Sequence, residues 1–101
     1  MAKDRHIYGE VDNKADLEKV FSDIRRDVGK AKSRPALTEL YKRAGYLITL
    51  THAHSWEKKF GRRTKGMRKV GVQQFHKTAH KINRRAEKIG SKANFDESWG
   101  K

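Results

Sequence analysis

Three segments of this chain repeat their apolar residues at the period of an α-helix, and this pattern limits the fold to a helical one. In the first segment the repeated apolar positions are Leu17, Val20, Phe21, Ile24 and Val28. Residues spaced in this way lie on one side of a helix and form a single apolar stripe. Asn13 precedes the stripe as a candidate N-cap, and Gly29 follows it as a stop signal.

The second segment opens with Ser33 and Pro35, a combination typical of the first turn of a helix. Its apolar stripe consists of Leu37, Leu40, Tyr41, Ala44, Leu47, Ile48 and Thr51. The stripe breaks near residues 52–55, so either Ser55 caps a separate short helix over Trp56–Phe60 or one long helix changes its buried face. A strand over Tyr46–Thr51 is the alternative, because that stretch is rich in β-branched and aromatic residues.

The third segment follows a turn, GRRTKG, that Gly61 and Gly66 bracket. Its apolar positions are Met67, Gly71, Phe75, Ala79, Ile82, Ala86 and Ile89. Gly90 stands where a helix-ending C′ glycine belongs. The opposite side of the same helix carries Lys69, Gln73, His76, Lys77, His80, Lys81, Arg84 and Lys88. This helix is therefore predicted to be sharply amphipathic, with one basic face.

These segments predict an all-α fold, a small three-helix bundle. In the alternative with a separate short helix, residues 56–60 form a fourth. The chain has 101 residues, of which 35% are hydrophobic, enough for one domain with a modest core. We expect an N-terminal arm over residues 1–12, in which His6–Tyr8 is a candidate short strand. The bundle is expected over residues 13–90 and a C-terminal tail over residues 91–101. Phe95 and Trp99 in that tail could dock on a partner or fold back over the basic helix.

Positive charge is concentrated in one third of the chain. Between Lys58 and Lys92 lie thirteen of the 25 basic residues but only one of the 12 acidic residues, Glu87. An ordinary solvated helix interleaves acids with bases, as the first segment does. A basic surface of this density, on a chain of net charge +13, favours a polyanionic partner.

Composition argues against several other classes of function. The chain has no cysteine, which removes thiol nucleophiles and cysteine-ligated metals and fits a cytoplasmic location. The apolar run Tyr46–Leu50 is too short to cross a membrane, and the apolar face of the basic helix is needed for the core, so no membrane partner is expected. No phosphate-binding loop or nucleophile elbow is present. We therefore expect a protein that is not an enzyme and that needs no cofactor.

The histidines fall largely into two pairs, His52 with His54 and His76 with His80. Spacings of two and four residues occur in zinc sites, but no carboxylate is placed to complete a HExxH-like set. We expect no metal. His76 and His80 lie on the basic face, where they could meet phosphate instead, and a histidine-dependent ribonuclease is the enzymatic alternative.

The expected nucleic-acid-binding residues share the basic helix and the segment that leads into it. Cations on such a helix recur every three or four residues, about 5–6 Å apart, a spacing close to that of successive phosphates. Phosphate contacts should therefore dominate, since few side chains here, Gln73, Gln74 and Asn83 among them, can read base edges. The predicted set is Lys58, Lys59, Arg62, Arg63, Lys65, Arg68, Lys69, Gln73, His76, Lys77, His80, Lys81, Arg84, Arg85 and Lys88.

Trp56, Phe60 and Trp99 are candidates for stacking on unpaired bases or for anchoring a protein partner. The alternative for Trp56 and Phe60 is that they fill one end of the core. The stacking candidates favour RNA slightly over DNA, and the small size favours action beside other protein subunits or in several copies. A rival interpretation is a protein-binding modulator, for example an inhibitor encoded by a mobile element, that targets a nucleic-acid-handling complex. It requires an exposed aromatic anchor.

Overall fold

The computed structural model of the chain describes residues 11–91 and 94–98, and within them every regular element is helical. The elements are α1 (Lys14–Lys30), α2 (Arg34–Thr51), α3 (His54–Phe60), a 3₁₀ turn (Gly61–Arg63) and α4 (Thr64–Lys88). The expected all-α bundle with a short extra helix is confirmed. The candidate strand at His6–Tyr8 lies outside the described residues. None of the helices described is both long and apolar enough to cross a membrane.

The first two helices begin at the caps that the sequence indicates. The Asn13 side chain accepts a hydrogen bond of 2.9 Å from the backbone N–H of Asp16. The Ser33 hydroxyl accepts one of 3.4 Å from Ala36, with Pro35 in the first turn of α2. Each cap satisfies a backbone donor that the helix itself leaves without a partner.

The end of α4 is also the predicted one. Gly90 has a φ of +77°, a conformation that side chains other than glycine rarely adopt. Its N–H donates to Glu87 O, and the N–H of Ser91 donates to Ala86 O. This pair of bonds is the Schellman motif, which satisfies the last carbonyl groups of a helix.

The break after α2 differs in detail from the sequence prediction. Residues 46–51 are helical, so the alternative of a strand there is wrong. The short helix α3 exists, but it begins at His54, and its N-cap is Ala53 rather than Ser55. No side chain caps α3, because Ala53 has no side-chain acceptor; the backbone N–H of Trp56 donates to Ala53 O.

The two glycines that bracket the GRRTKG segment have different roles. Gly61 ends α3 with a φ of +57°, which lets the chain turn into the 3₁₀ segment. Gly66 is not a turn residue, because α4 already begins at Thr64. A Cβ atom at Gly66 would lie 2.9 Å from Lys14 Cε. The neighbouring atoms belong to the flexible end of the Lys14 side chain, so this side chain of α1 lies over α4 at Gly66.

The core lies between α4 and the two helices that pack on it. Both α1 and α2 contact α4 extensively and contact each other much less. All the predicted stripe positions of α4 are buried except Ile89, which is half-buried. Val11 is buried before α1, and Phe95 after α4 packs against the same core. The largest fully buried side chains are Phe21, Phe75, Leu17, Leu37, Leu47, Ile48, Met67 and Ile82.

Two helical glycines provide a test of this packing. Gly45 in α2 has open space where a Cβ would lie, whereas a Cβ at Gly71 in α4 would lie 3.1 Å from Thr51 Cγ2. Gly45→Ala should raise the free energy of unfolding by about 0.5–1 kcal/mol, because alanine restricts the unfolded chain and favours helix. Gly71→Leu should lower it by about 1–3 kcal/mol through overpacking. Urea unfolding followed by circular dichroism measures both changes, and equal effects at the two sites would contradict the packing described.

Candidate nucleic-acid interface

The side of α4 that faces away from α1 and α2 is a continuous basic surface. Its side chains point to solvent because the opposite side of the same helix is fully used in the core. A helix of 25 residues is about 38 Å long, so this surface is a long strip that follows α4. We call it the α4 face; its exposed members are Lys65, Lys69, Gln73, Lys77, His80, Lys81, Arg84 and Lys88.

Most cations of the predicted set have no acid or acceptor of their own. Within the described residues, no hydrogen bond or ion pair engages Lys58, Arg62, Lys65, Lys69, Lys77, Lys81, Arg84 or Lys88. Glu87, the one acidic residue between Lys58 and Lys92 in the sequence, lies on the exposed side of α4. Apart from the tail carboxylate of Glu97 beside His80, the α4 face is therefore a surface on which the fold leaves the lysines and arginines without acids of their own.

Three other cations of the predicted set are used by the fold. Lys59 donates to Val11 O at 3.2 Å and pairs with Asp12 at 3.3 Å. Arg85 donates to Ala31 O at 2.8 Å and so ties α4 to the end of α1. These contacts occupy side chains that the sequence alone assigned to a nucleic acid.

Arg68 is the third of these cations, and it joins three helices. Its guanidinium donates to Thr51 O at 3.0 Å and to Glu57 at 2.6 Å. The hydrogen bond and the charge of Arg68 hold the pKa of the Glu57 carboxyl below its usual value, and His54 at 3.1 Å acts in the same direction. This cluster fixes α3 against the start of α4 and so positions the basic turn between them.

A groove at the start of α4 adds a cation that the sequence did not single out. Arg62 and Arg63 line it from the 3₁₀ turn, and Lys14 lines it from the first residue of α1. The groove has a volume of about 550 Å³. Arg63 also lies over the Phe60 ring, 5.4 Å from its centroid, which orients its guanidinium. The end of the Lys14 side chain lies beside Gly66 of α4, so the groove is formed by distant parts of the chain.

The aromatic residues of α3 are not available for stacking. Trp56 is 7% exposed and Phe60 is 5% exposed, and the two rings pack edge to face with centroids 5.0 Å apart. They fill the end of the core because α3 folds back over the start of α4. Their proposed role as a base-stacking platform or partner anchor therefore does not fit their burial. Trp99, the third candidate, lies outside the described residues.

The two glutamines that were candidates for reading base edges differ in their exposure. Gln73 is exposed on the α4 face, but Gln74 is buried and accepts a hydrogen bond of 2.7 Å from Arg25 of α1. Arg25 also donates to Thr78 at 3.2 Å. Burial lowers the pKa of the Arg25 guanidinium, while Glu18 opposes that shift. Gln74 is therefore part of the contact between α1 and α4 and cannot read bases.

Asn83, the other amide considered, is occupied by the tail. Its side chain bonds to both backbone groups of Phe95, and Tyr41 of α2 stacks on the Phe95 ring. The described part of the tail, residues 94–98, thus folds back against α2 and α4. This was one of the two alternatives that the sequence left open.

The histidine pairs do not come together with acids as metal ligands. Among the residues described, no group of three or more His, Asp or Glu side chains is placed to hold a metal ion. His54 pairs with Glu57, and His80 lies 3.0 Å from Glu97 of the tail. His76 is half-buried beside Phe75 on α4.

The described surface offers little to a partner that binds through apolar contacts. Tyr46 of α2, at 48% exposure, is the only large hydrophobic side chain that residues 11–91 and 94–98 expose.

In comparisons with known proteins, no family model, no curated protein and no solved structure matches this chain.

The cluster of Arg68 and Glu57 predicts a pH dependence of stability. The folded pKa of Glu57 is lowered, so its contribution to stability is present above the unfolded pKa of about 4.3 and is lost as pH falls through the folded value. The melting temperature of wild type should therefore exceed that of Glu57→Gln at pH 7, and this difference should shrink as the pH is lowered to 3. A difference that stays constant over this range would contradict the ion pair.

Proposed function

We propose that this protein is a non-enzymatic nucleic-acid-binding protein that lays the α4 face along a phosphate backbone, as a small subunit or accessory of a larger nucleoprotein complex. The observation that carries the proposal is the row of cations on that face without intramolecular partners. A cytoplasmic location belongs to the same proposal and is supported by the absence of cysteine.

The balance of cations and acids distinguishes α4 from α1. Helix α4 carries eight Lys and Arg residues and one acid, whereas α1 carries five Lys and Arg residues and four acids, and Arg26 there has Asp23 at 3.3 Å. On the α4 face, successive cations one helical turn apart repel each other, and a polyanion would relieve that repulsion. Release of counterions from the nucleic acid would add to the affinity.

The geometry favours contacts to phosphate over contacts to bases. Lys77, Lys81 and Arg84 follow one another along the α4 face at intervals of three or four residues, so they can contact successive phosphates. Gln73 alone among the amides considered is free to reach a base edge. We therefore expect weak sequence preference. The slight preference for RNA loses two of its three supporting side chains with the burial of Trp56 and Phe60, so RNA and DNA are both tested.

A single copy should bind only modestly at physiological salt. About six phosphate contacts give a salt slope of about −4 on a single strand and about −5 on a duplex, and an affinity that falls about 10³-fold between 50 and 200 mM salt. Several copies on one strand, or neighbouring subunits that also bind it, would restore occupancy. This is the reason for placing the protein within an assembly.

Charge reversal on the α4 face tests the proposal. Lys77→Glu/Lys81→Glu/Arg84→Glu should weaken binding at least about 100-fold and reduce the salt slope by about 2–3, because three phosphate contacts are lost. The measurement is fluorescence anisotropy of labelled single-stranded RNA, single-stranded DNA and duplex DNA at several salt concentrations.

The matched control reverses three exposed lysines away from the α4 face. Lys19→Glu/Lys32→Glu/Lys42→Glu changes the net charge by the same amount on α1, on α2 and between them. It should retain most of the affinity and the salt slope. Equal losses in the two variants would contradict the α4 face as the site. Absence of binding to all three polymers at low salt would contradict the proposed function and favour a protein partner.

A further inference from the structure

The tail is held against the bundle by a specific set of contacts. The Asn83 side chain donates to Phe95 O at 2.8 Å and accepts from the Phe95 N–H at 2.7 Å, so it pairs with the backbone as a neighbouring strand would. The Phe95 ring stacks on Tyr41 with centroids 4.7 Å apart and an angle of 29° between the rings. The Tyr41 hydroxyl donates to Asp96 O at 2.9 Å.

These contacts place a carboxylate on the edge of the α4 face. Glu97 accepts from the Asn83 side chain at 2.8 Å, and its other oxygen lies 3.0 Å from His80 Nδ1. Asp96, beside it, is exposed; hydrogen bonds from Ser98 lower its pKa and keep it ionised. The tail thus brings the Glu97 carboxylate to a part of α4 where the chain otherwise has few acids.

A carboxylate and a phosphate offer the same kind of oxygen acceptor to a basic surface. His80 on the α4 face and Asn83 at its edge are occupied by the tail. Lys77, Lys81 and Arg84 beside them have no partner among the described residues. A backbone that ran along the whole face would meet Glu97 at this edge. The tail and the nucleic acid therefore compete for the same part of the surface.

We propose that residues 94–98 act as an intramolecular competitor, which covers the edge of the α4 face at His80 and Asn83 and which nucleic acid must displace in order to occupy the whole face. This inference rests on the proposed function. A tail docked nine-tenths of the time lowers the apparent affinity about tenfold, because only the undocked fraction is fully competent. Release of the tail should therefore strengthen binding by about 3–10-fold.

Two substitutions release the tail in different ways. Phe95→Ala removes the stacking on Tyr41 and leaves the net charge unchanged. Glu97→Gln removes the charge and keeps the shape of the side chain. Both should bind nucleic acid about 3–10-fold more tightly than wild type in the anisotropy assay, with a steeper salt dependence, since the freed edge adds phosphate contacts.

Glu87→Gln is the matched control. It makes the same chemical change as Glu97→Gln on the exposed side of α4, at a residue whose side chain has no partner in the described part of the chain. If net charge alone mattered, Glu87→Gln would strengthen binding as much as Glu97→Gln. We expect a change of about twofold or less, because it releases no contact.

The amide hydrogen of Phe95 reports the displacement directly. It is bonded to Asn83 in the free protein, so its exchange with solvent, followed by NMR, should be slowed; saturating nucleic acid should remove that protection. Retained protection in the complex, with unchanged affinity of Phe95→Ala and Glu97→Gln, overturns the competitor while the proposed function stands. Failure of wild type and both tail variants to bind any polymer overturns both proposals.

Discussion

Burial of one side of α4 by both α1 and α2 is the interaction on which the rest of the structure depends. The two helices contact each other much less than they contact α4, so α4 is the shared support of the bundle. Its apolar and small residues are buried in that contact, and Gly71 lies against the Thr51 side chain of α2. Every charged residue of α4 must then lie on the remaining side or at its margins. The basic surface is therefore a direct consequence of how the core is built.

The parts of the structure that the sequence predicted are those set by local interactions. The Asn13 and Ser33 caps and the glycine end at Gly90 each depend on residues within five positions, so their signals are complete in a short window. The apolar stripes are equally local, because the helical period fixes which side chains share a face. The exposed cations of α4 follow from the same period. The helical class and most of the candidate surface could thus be predicted.

What the sequence could not predict depends on contacts between distant segments. Gln74 is a candidate base-reading residue by its type, but Arg25 of α1 bonds it. The sequence left Trp56 open between base stacking and the core, and the packing of α3 places it in the core. Lys14 joins Arg62 and Arg63 in the basic groove only because α1 packs beside the start of α4. The docking of Phe95 on Tyr41 joins residues more than fifty positions apart. No periodicity or spacing in the chain encodes such pairings.

Chemical footprinting of lysines tests the central claim that the α4 face is where nucleic acid lies. The protein is acetylated at low salt with and without saturating nucleic acid, and the modified lysines are quantified by mass spectrometry. We expect Lys69, Lys77 and Lys81 to become protected, while Lys19, Lys32 and Lys42 on the other helices and their connection react as before. Equal protection of the two sets, or protection of the second set alone, would contradict it.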